Sequence, residues 1–203
     1  MKSIYLTLSF LCLSMALISL QGCAPAIVAG SAAGAASVAS DKRSAGTIIN
    51  DQAVEFRVAS KLQSDDEMVD KTNISVTAYN GVILLTGEAP TQELKDRAYT
   101  YANEVADDSS KEESKIKQIH NEISIREPLP FKARNYDTWL TTKIKTKLLT
   151  TKDVSSFEVK VVTSDTTVYL LGFMNRQDAD TVTRVIANIQ GVTRIVKAFE
   201  YTD

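Results

Sequence analysis

Cysteine is nearly absent from these 203 residues: Cys12 and Cys23 are the two. Cys12 sits in an uncharged apolar run, Ile4 to Leu20, behind a single basic residue, Lys2, and ahead of Leu20-Gln21-Gly22-Cys23. A charged start, a short apolar run and a small residue before the cut describe a secretory signal over residues 1–22, not a mature membrane span. Its end has the form of a lipobox, with Gln21 where a small residue is usual, so the Cys23 thiol is expected to carry diacylglycerol. Ordinary cleavage beside an incidental cysteine is the alternative. An exported chain acylated at Cys23 keeps no thiol and no disulfide, and its cores must stabilise it unaided.

Other shortages exclude chemistry. There is one histidine, His120, which the repeat pattern described below places in a strand, and no cysteine nucleophile outlasts processing. G-x-S-x-G, a Walker loop, G-x-G-x-x-G and metal-spaced clusters are all missing. Glu112-Glu113 reads as a solvated charge pair in a polar loop. An enzyme is therefore not expected, and no cofactor or metal is implied. Positive charge is not in excess either: the formal charge is −2, one lower without Lys2, which argues against nucleic acid as a partner.

Large apolar residues are scarce after Cys23. Residues 23–50, mostly Ala, Gly, Ser and Val, are too poor in them for a second span, and the Gly30/Gly34 GxxxG is a weak signal there. The segment reads as a flexible tether with a root-mean-square reach of roughly 30 Å for about 27 residues. Ala24 follows the cysteine where Asp would favour inner-membrane retention, so sorting rules point to the outer membrane.

What the chain does have is one pattern written twice. Asp51, Val54, Val58 and Leu62 recur as Asp137, Leu140, Ile144 and Leu148. Each set gives one face of a helix, with the aspartate as a natural N-cap. Two strands follow. Ile74, Val76 and Ala78 alternate, as do Phe157, Val159 and Val161. Asn80-Gly81 is a two-residue hairpin turn, Ser164-Asp165-Thr166 a looser counterpart. Val82–Leu85 then matches Thr167–Leu170, and Gly87 matches Gly172, where a strand end needs a bend or a close backbone approach.

A second helix is expected after the N-caps Thr91 and Asn175, the latter with Asp178 in a variant capping box. Leu94, Ala98, Tyr101 and Val105 form one stripe, Val182, Val185, Ile186 and Ile189 the other. A last strand covers Ile116–Ile125 and Val192–Tyr201. The first copy carries an insertion near residues 106–114 in place of the tight Gln190-Gly191 turn. The predicted fold is α+β: tandem αββαβ domains over 51–126 and 137–203, each with a three-stranded mixed sheet and two helices packed on one face. The linker, 127–136, contains Glu127-Pro128-Leu129-Pro130.

Asn73-Ile74-Ser75-Val76-Thr77-Ala78-Tyr79-Asn80-Gly81, Leu84-Leu85-Thr86-Gly87 and Gly191-Val192-Thr193-Arg194-Ile195-Val196 resemble the BON domain. With the lead-in Asp41–Thr47, nearly the whole mature chain resembles the dual BON-domain outer-membrane lipoproteins. The resemblance implies a protein on the periplasmic face of the outer membrane that binds anionic phospholipid, gathers at division sites and supports envelope integrity. The insertion departs from the pattern.

Charge separates the copies. Residues 51–71 hold Arg57, Lys61 and Lys71 against Asp51, Glu55, Asp65, Asp66, Glu67 and Asp70. Residues 132–152 hold Lys132, Arg134, Lys143, Lys145, Lys147 and Lys152 against Asp137 alone. At about 100° per residue, Trp139 falls opposite Ile144, with Thr142, Thr146 and Leu149 on its side and Lys143 and Lys145 flanking it. An exposed indole between ammonium groups suits a membrane interface, and the resemblance implies lipid contact on this helix. The competing expectation is Trp139 packed under the interdomain linker beside solvated lysines. A further reading makes the first domain an adaptor for an envelope-assembly or cell-wall protein.

Overall fold

The computed structural model describes residues 43–108, 116–151 and 158–203. Cys23, the signal and most of the tether lie outside the described residues, as do residues 109–114 of the insertion and Lys152. In chain order the first repeat contains α1 (Ala45–Gln63), α2 (Asp66–Lys71), β1 (Asn73–Tyr79), β2 (Val82–Ala89), α3 (Gln92–Asp107), β3 (Gln118–Asn121) and β4 (Ser124–Ile125). The second contains α4 (Phe131–Leu149), β5 (Val159–Ser164), β6 (Thr167–Met174), α5 (Arg176–Ala187) and β7 (Arg194–Tyr201). Central β2 pairs antiparallel with β1 and parallel with β3 and β4. Central β6 pairs antiparallel with β5 and parallel with β7. These are two mixed sheets in tandem α+β domains.

Several boundaries differ from the sequence reading. The first-copy strand expected over Ile116–Ile125 is broken at Glu122-Ile123, where Ile123 turns into the core, and β7 begins at Arg194. Short α2 was not foreseen. Gly87 and Gly172 lie inside β2 and β6, not at their ends. A Cβ on Gly87 would sit 1.9 Å from the Asn73 carbonyl oxygen, so the close approach holds although the bend does not. Asn175 accepts from the Asp178 amide at 2.8 Å, but Asp178 returns to the Asn175 side chain, so only half of a capping box forms.

Asp51 and Asp137 are not N-caps. The helices start more than a turn earlier: Ser44 caps α1 by accepting from the Thr47 amide, and Pro130, with φ −63°, precedes α4. Residues 45–50 of the expected tether are thus helical. Both aspartates are buried within their helices and face the hairpin of their own sheet. Asp51 accepts from the amides of Asn80 (2.7 Å) and Gly81 (3.0 Å), and Asp137 from those of Asp165 and Thr166 (2.9 Å each). The property read correctly was a short carboxylate that collects backbone N–H groups; the N–H groups belong to the turn instead of the helix.

This bond reshapes the second turn. Asp165 and Thr166 have φ of 46° and 59°, as Asn80 and Gly81 have 52° and 78°. The Ser164-Asp165-Thr166 connection is therefore a tight two-residue turn, not a looser one. Left-handed backbone costs a non-glycine residue about 1–2 kcal/mol. Two charge-assisted bonds to Asp137 offset that cost.

Within each domain the helices cover one sheet face. Val54, Val58 and Leu62 of α1 pack with Ile83 and Leu85 of β2 and with Leu94, Ala98 and Ala102 of α3. Leu140, Ile144 and Leu148 of α4 do the same with Val168, Leu170, Val182 and Ile186. Tyr101, expected in the α3 stripe, stands at its edge and donates to Asp65 at 2.8 Å, while Ala102 is buried.

The opposite sheet faces meet each other. Tyr79, Val82 and Leu84 form one buried cluster with Tyr169, Leu171 and Ala198. Arg126–Asp165 (2.7 Å), Lys117–Glu200 (2.7 Å) and Arg194–Glu122 (2.8 Å) ring it. Such exposed pairs are worth about 0–1 kcal/mol each, whereas burying a leucine contributes about 1.5–3 kcal/mol. The apolar seam, more than the ion pairs, holds the domains together. The layers run helix, sheet, sheet, helix, and β2 is buried along its whole length.

Asp137→Ala strands two turn amides without their acceptor. The expected loss is about 3 kcal/mol, read by urea unfolding of the full chain. A change below about 0.5 kcal/mol would show that the left-handed turn stands without the carboxylate.

Candidate functional site

With the sheets facing each other, the outer sides of the helices are left to solvent. On α4 the buried face is Asp137, Leu140, Ile144 and Leu148. The opposite face exposes Trp139 (51%) and Leu149 (61%), with Thr142, Lys145 and Thr146 also exposed. Trp139 does not pack under the linker. Its ring lies 5.3 Å from that of Tyr136, tilted by 37°, and the Lys143 ammonium stands 4.9 Å from its centroid. Lys143 also donates to the Gln190 carbonyl at 3.0 Å. Tyr136 is seated against Gly191, whose φ of 108° and missing side chain let the phenol approach: a Cβ there would be 2.5 Å from its oxygen.

Between α4 and the turn that ends α5 runs a groove of about 640 Å³. Trp139, Thr142, Lys143 and Thr146 line it from α4, so four of the six residues named from the sequence come together. Lys145 and Leu149 do not line it; they lie on the far side of Trp139. Lys147 and Thr150 of α4 and Asn188, Ile189 and Gln190 from the α5 turn complete it and were missed. Lys147 was within reach of helical spacing, four residues after Lys143. The turn at Gln190-Gly191 is legible in the sequence, but its position beside α4 depends on tertiary packing, which no local pattern announces.

The lysines of α4 find no ion-pair partner among the described residues: Lys132, Lys143, Lys145 and Lys147 take part in none, and the helix's own carboxylate, Asp137, is turned inward to the hairpin. The first domain differs at matching places. Lys61, which corresponds to Lys147, pairs with Glu104 at 2.7 Å, and Arg57, which corresponds to Lys143, is 4.0 Å from Asp108. Glu104 precedes buried Val105 as Asn188 precedes buried Ile189, so an amide replaces the carboxylate in the second domain. Ala53 stands where Trp139 does, and exposed Phe56 where Thr142 does.

Elsewhere in the first domain a single guanidinium gathers three carboxylates. Arg97 reaches Glu67 (2.8 Å), Glu93 (2.7 Å) and Asp65 (3.3 Å), fastening α2 to α3. The Tyr101 hydroxyl, the Met68 amide and Arg97 hold Asp65 below the usual carboxylate range, and Lys71 with Arg97 does so for Glu67. Asp65 in turn pushes the Tyr101 phenol upward. His120 lies in β3 opposite Leu84 and lines a separate cavity of about 450 Å³ at the seam, beside Lys117, Lys197 and Glu200.

The BON domain model matches residues 50–127 and 136–203. Outer membrane lipoprotein DolP of Haemophilus influenzae is 32% identical over 188 residues, 93% of each chain. A 21 kDa hemolysin of Actinobacillus pleuropneumoniae is 37% identical over 161 residues, 79% of each. Osmotically-inducible protein Y of Escherichia coli is 26% identical over 166 residues, covering 79% of this chain and 78% of that protein.

Trp139 is the sole tryptophan, so its fluorescence reports on this groove alone. Unpaired lysines attract an anionic quencher and repel a cationic one. Iodide is expected to quench at least about threefold more efficiently than caesium in dilute buffer, with the gap narrowing as added salt shortens the Debye length. Equal quenching by both ions would mean the positive field is absent.

Proposed function

From the premise that this chain belongs to the BON-domain family, among the outer-membrane lipoproteins that carry two such domains, we propose that it binds anionic phospholipid through α4 of its second domain while Cys23 carries the lipid that anchors it facing the periplasm. The observation that carries this reading is the half-exposed indole of Trp139 beside lysines that no described carboxylate neutralises. An indole at headgroup depth with ammonium groups at phosphate level is the arrangement an anionic interface rewards.

Magnitudes assign the division of labour. Each lysine near an anionic surface contributes about 1 kcal/mol. Three of them with a partly inserted tryptophan make a weak site, and a weak site suffices for a domain already held at the membrane at high effective concentration. The anchor retains the protein and α4 reports on the lipid around it. Enrichment wherever anionic lipid gathers, division sites included, and support of envelope integrity follow from that selectivity.

A second reading rests on the first domain, where α1 exposes Phe56 (71%) and Ile49 (65%) beside self-neutralised charges. That surface suits a protein partner, an envelope-assembly or cell-wall factor, and is compatible with lipid contact by α4.

Full-chain protein titrated with phosphatidylglycerol vesicles is expected to shift Trp139 emission to the blue, and phosphatidylcholine vesicles to leave it in place. Replacing Lys143 and Lys145 together by Glu should weaken binding at least about thirtyfold, from about 1 kcal/mol for each lysine removed. Phe56→Glu should leave it unchanged. Binding indifferent to headgroup charge or to the lysine substitutions would refute the lipid reading. Loss of the cellular phenotype in Phe56→Glu alone would make the adaptor role primary.

A further inference from the structure

Resting on that lipid reading, we propose that the groove between α4 and the 188–190 turn is a discrete site for a single phospholipid molecule, with one acyl chain along its floor and its phosphate between Lys143 and Lys147 at its rim. A helix that only adsorbs to a membrane needs an exposed apolar ridge. Here the ridge residue Trp139 is one wall of a concavity, and about 640 Å³ falls within the range that encloses a small ligand.

The floor is built for hydrocarbon. Ile189 comes from the α5 turn, and the threonines at 142, 146 and 150 repeat every fourth residue along α4. Thr142 donates its hydroxyl to the Thr138 carbonyl at 3.0 Å, and Thr150 donates to the Lys147 carbonyl at 3.0 Å. With those donors committed to their own helix, Thr142 and Thr150 offer the groove no free hydroxyl donor. The rim is built for a phosphate. Lys147 has no acidic partner among the described residues, and Lys143 is held by two neutral groups, the Gln190 carbonyl and the Trp139 ring, so an arriving anion offers it a charge-assisted bond.

The repeat supplies the control. The first-domain groove holds about 270 Å³, and there Glu104 binds Lys61 at 2.7 Å, occupying the place an anion would take. Asn188 at the matching position leaves Lys147 open. Asn188→Glu therefore recreates an internal ion pair without removing a cation or touching the core.

The test uses full-chain protein and short-chain phosphatidylglycerols kept below their critical micelle concentration, followed by Trp139 emission and by native mass spectrometry. The expected result is saturable binding of one lipid per chain. Affinity should rise about fourfold per added methylene until the groove is filled, the fold-change corresponding to about 0.8 kcal/mol per buried CH₂. Glycerol phosphate, which has the headgroup chemistry without the chain, should bind at least about tenfold more weakly than the shortest lipid. Asn188→Glu should weaken lipid binding at least about tenfold while leaving thermal unfolding unchanged, and Asn188→Gln should retain it. If anionic vesicles bind but dispersed lipid does not, or if chain length has no effect, the single-lipid site is overturned and surface adsorption remains. If neither binds, the lipid reading falls with it. Lipid-indifferent self-association through this face would give the groove to a second copy and also overturn the proposal.

Discussion

Leu84 and Leu171 have no exposed surface, although each lies on the sheet face that its own helices do not cover. Each is buried by the other domain. A three-stranded sheet with helices on one side leaves the other side wet or must cover it, and here the two repeats cover each other. That arrangement fixes which surfaces remain for function. Strand faces are consumed by the seam, helix inner faces by the two cores, and what is left is the outer face of each helical layer.

The two domains then diverge through charge, on a shared frame. In both, an aspartate within the first helix clasps the hairpin turn, and in both a buried Val105 or Ile189 closes the second helix. Around that frame the first domain pairs its cations locally, Lys61 with Glu104 and Arg97 with Glu67, Glu93 and Asp65. Among the described residues, the second leaves Lys143, Lys145 and Lys147 without carboxylate partners. Surface pairs add little stability either way. Their absence is therefore inexpensive to the fold, and its main effect is to leave a positive field aimed outward.

The sequence disclosed the parts of this that are periodic. Stripes of apolar residues four apart located the helices, alternation located the strands, and Asn80-Gly81 marked a tight turn that the structure has, with both residues left-handed. The contrast between an acidic and a basic first helix was also legible, because it needs only a count. What stayed hidden depended on distant packing. Asp165-Thr166 looked like a loose connection because the carboxylate that tightens it is 28 residues earlier. Asp51 and Asp137 looked like caps because a cap and a turn clasp ask the same of a side chain. The sheet-to-sheet seam was invisible because β2 and β6, buried on both faces, show no alternation from which a second contact face stands out. A third of the groove lining was hidden too: Asn188, Ile189 and Gln190 meet α4 only once α5 is docked.

One difference between the repeats separates a paired lysine from an unpaired one: Glu104 beside Lys61 in the first domain, Asn188 beside Lys147 in the second. Replacing a carboxylate like Glu104 by an amide like Asn188 leaves the helix, the core and the total number of cations unaltered, yet frees one lysine from an intramolecular partner. In water that lysine is merely solvated. On the proposed lipid reading it meets phosphate at an anionic surface, where the same ammonium group adds to the affinity. Specificity on a duplicated fold can thus arise by removing a partner as readily as by adding a ligand. It is drawn from the outer helical layer, where such a change leaves the seam and both cores intact.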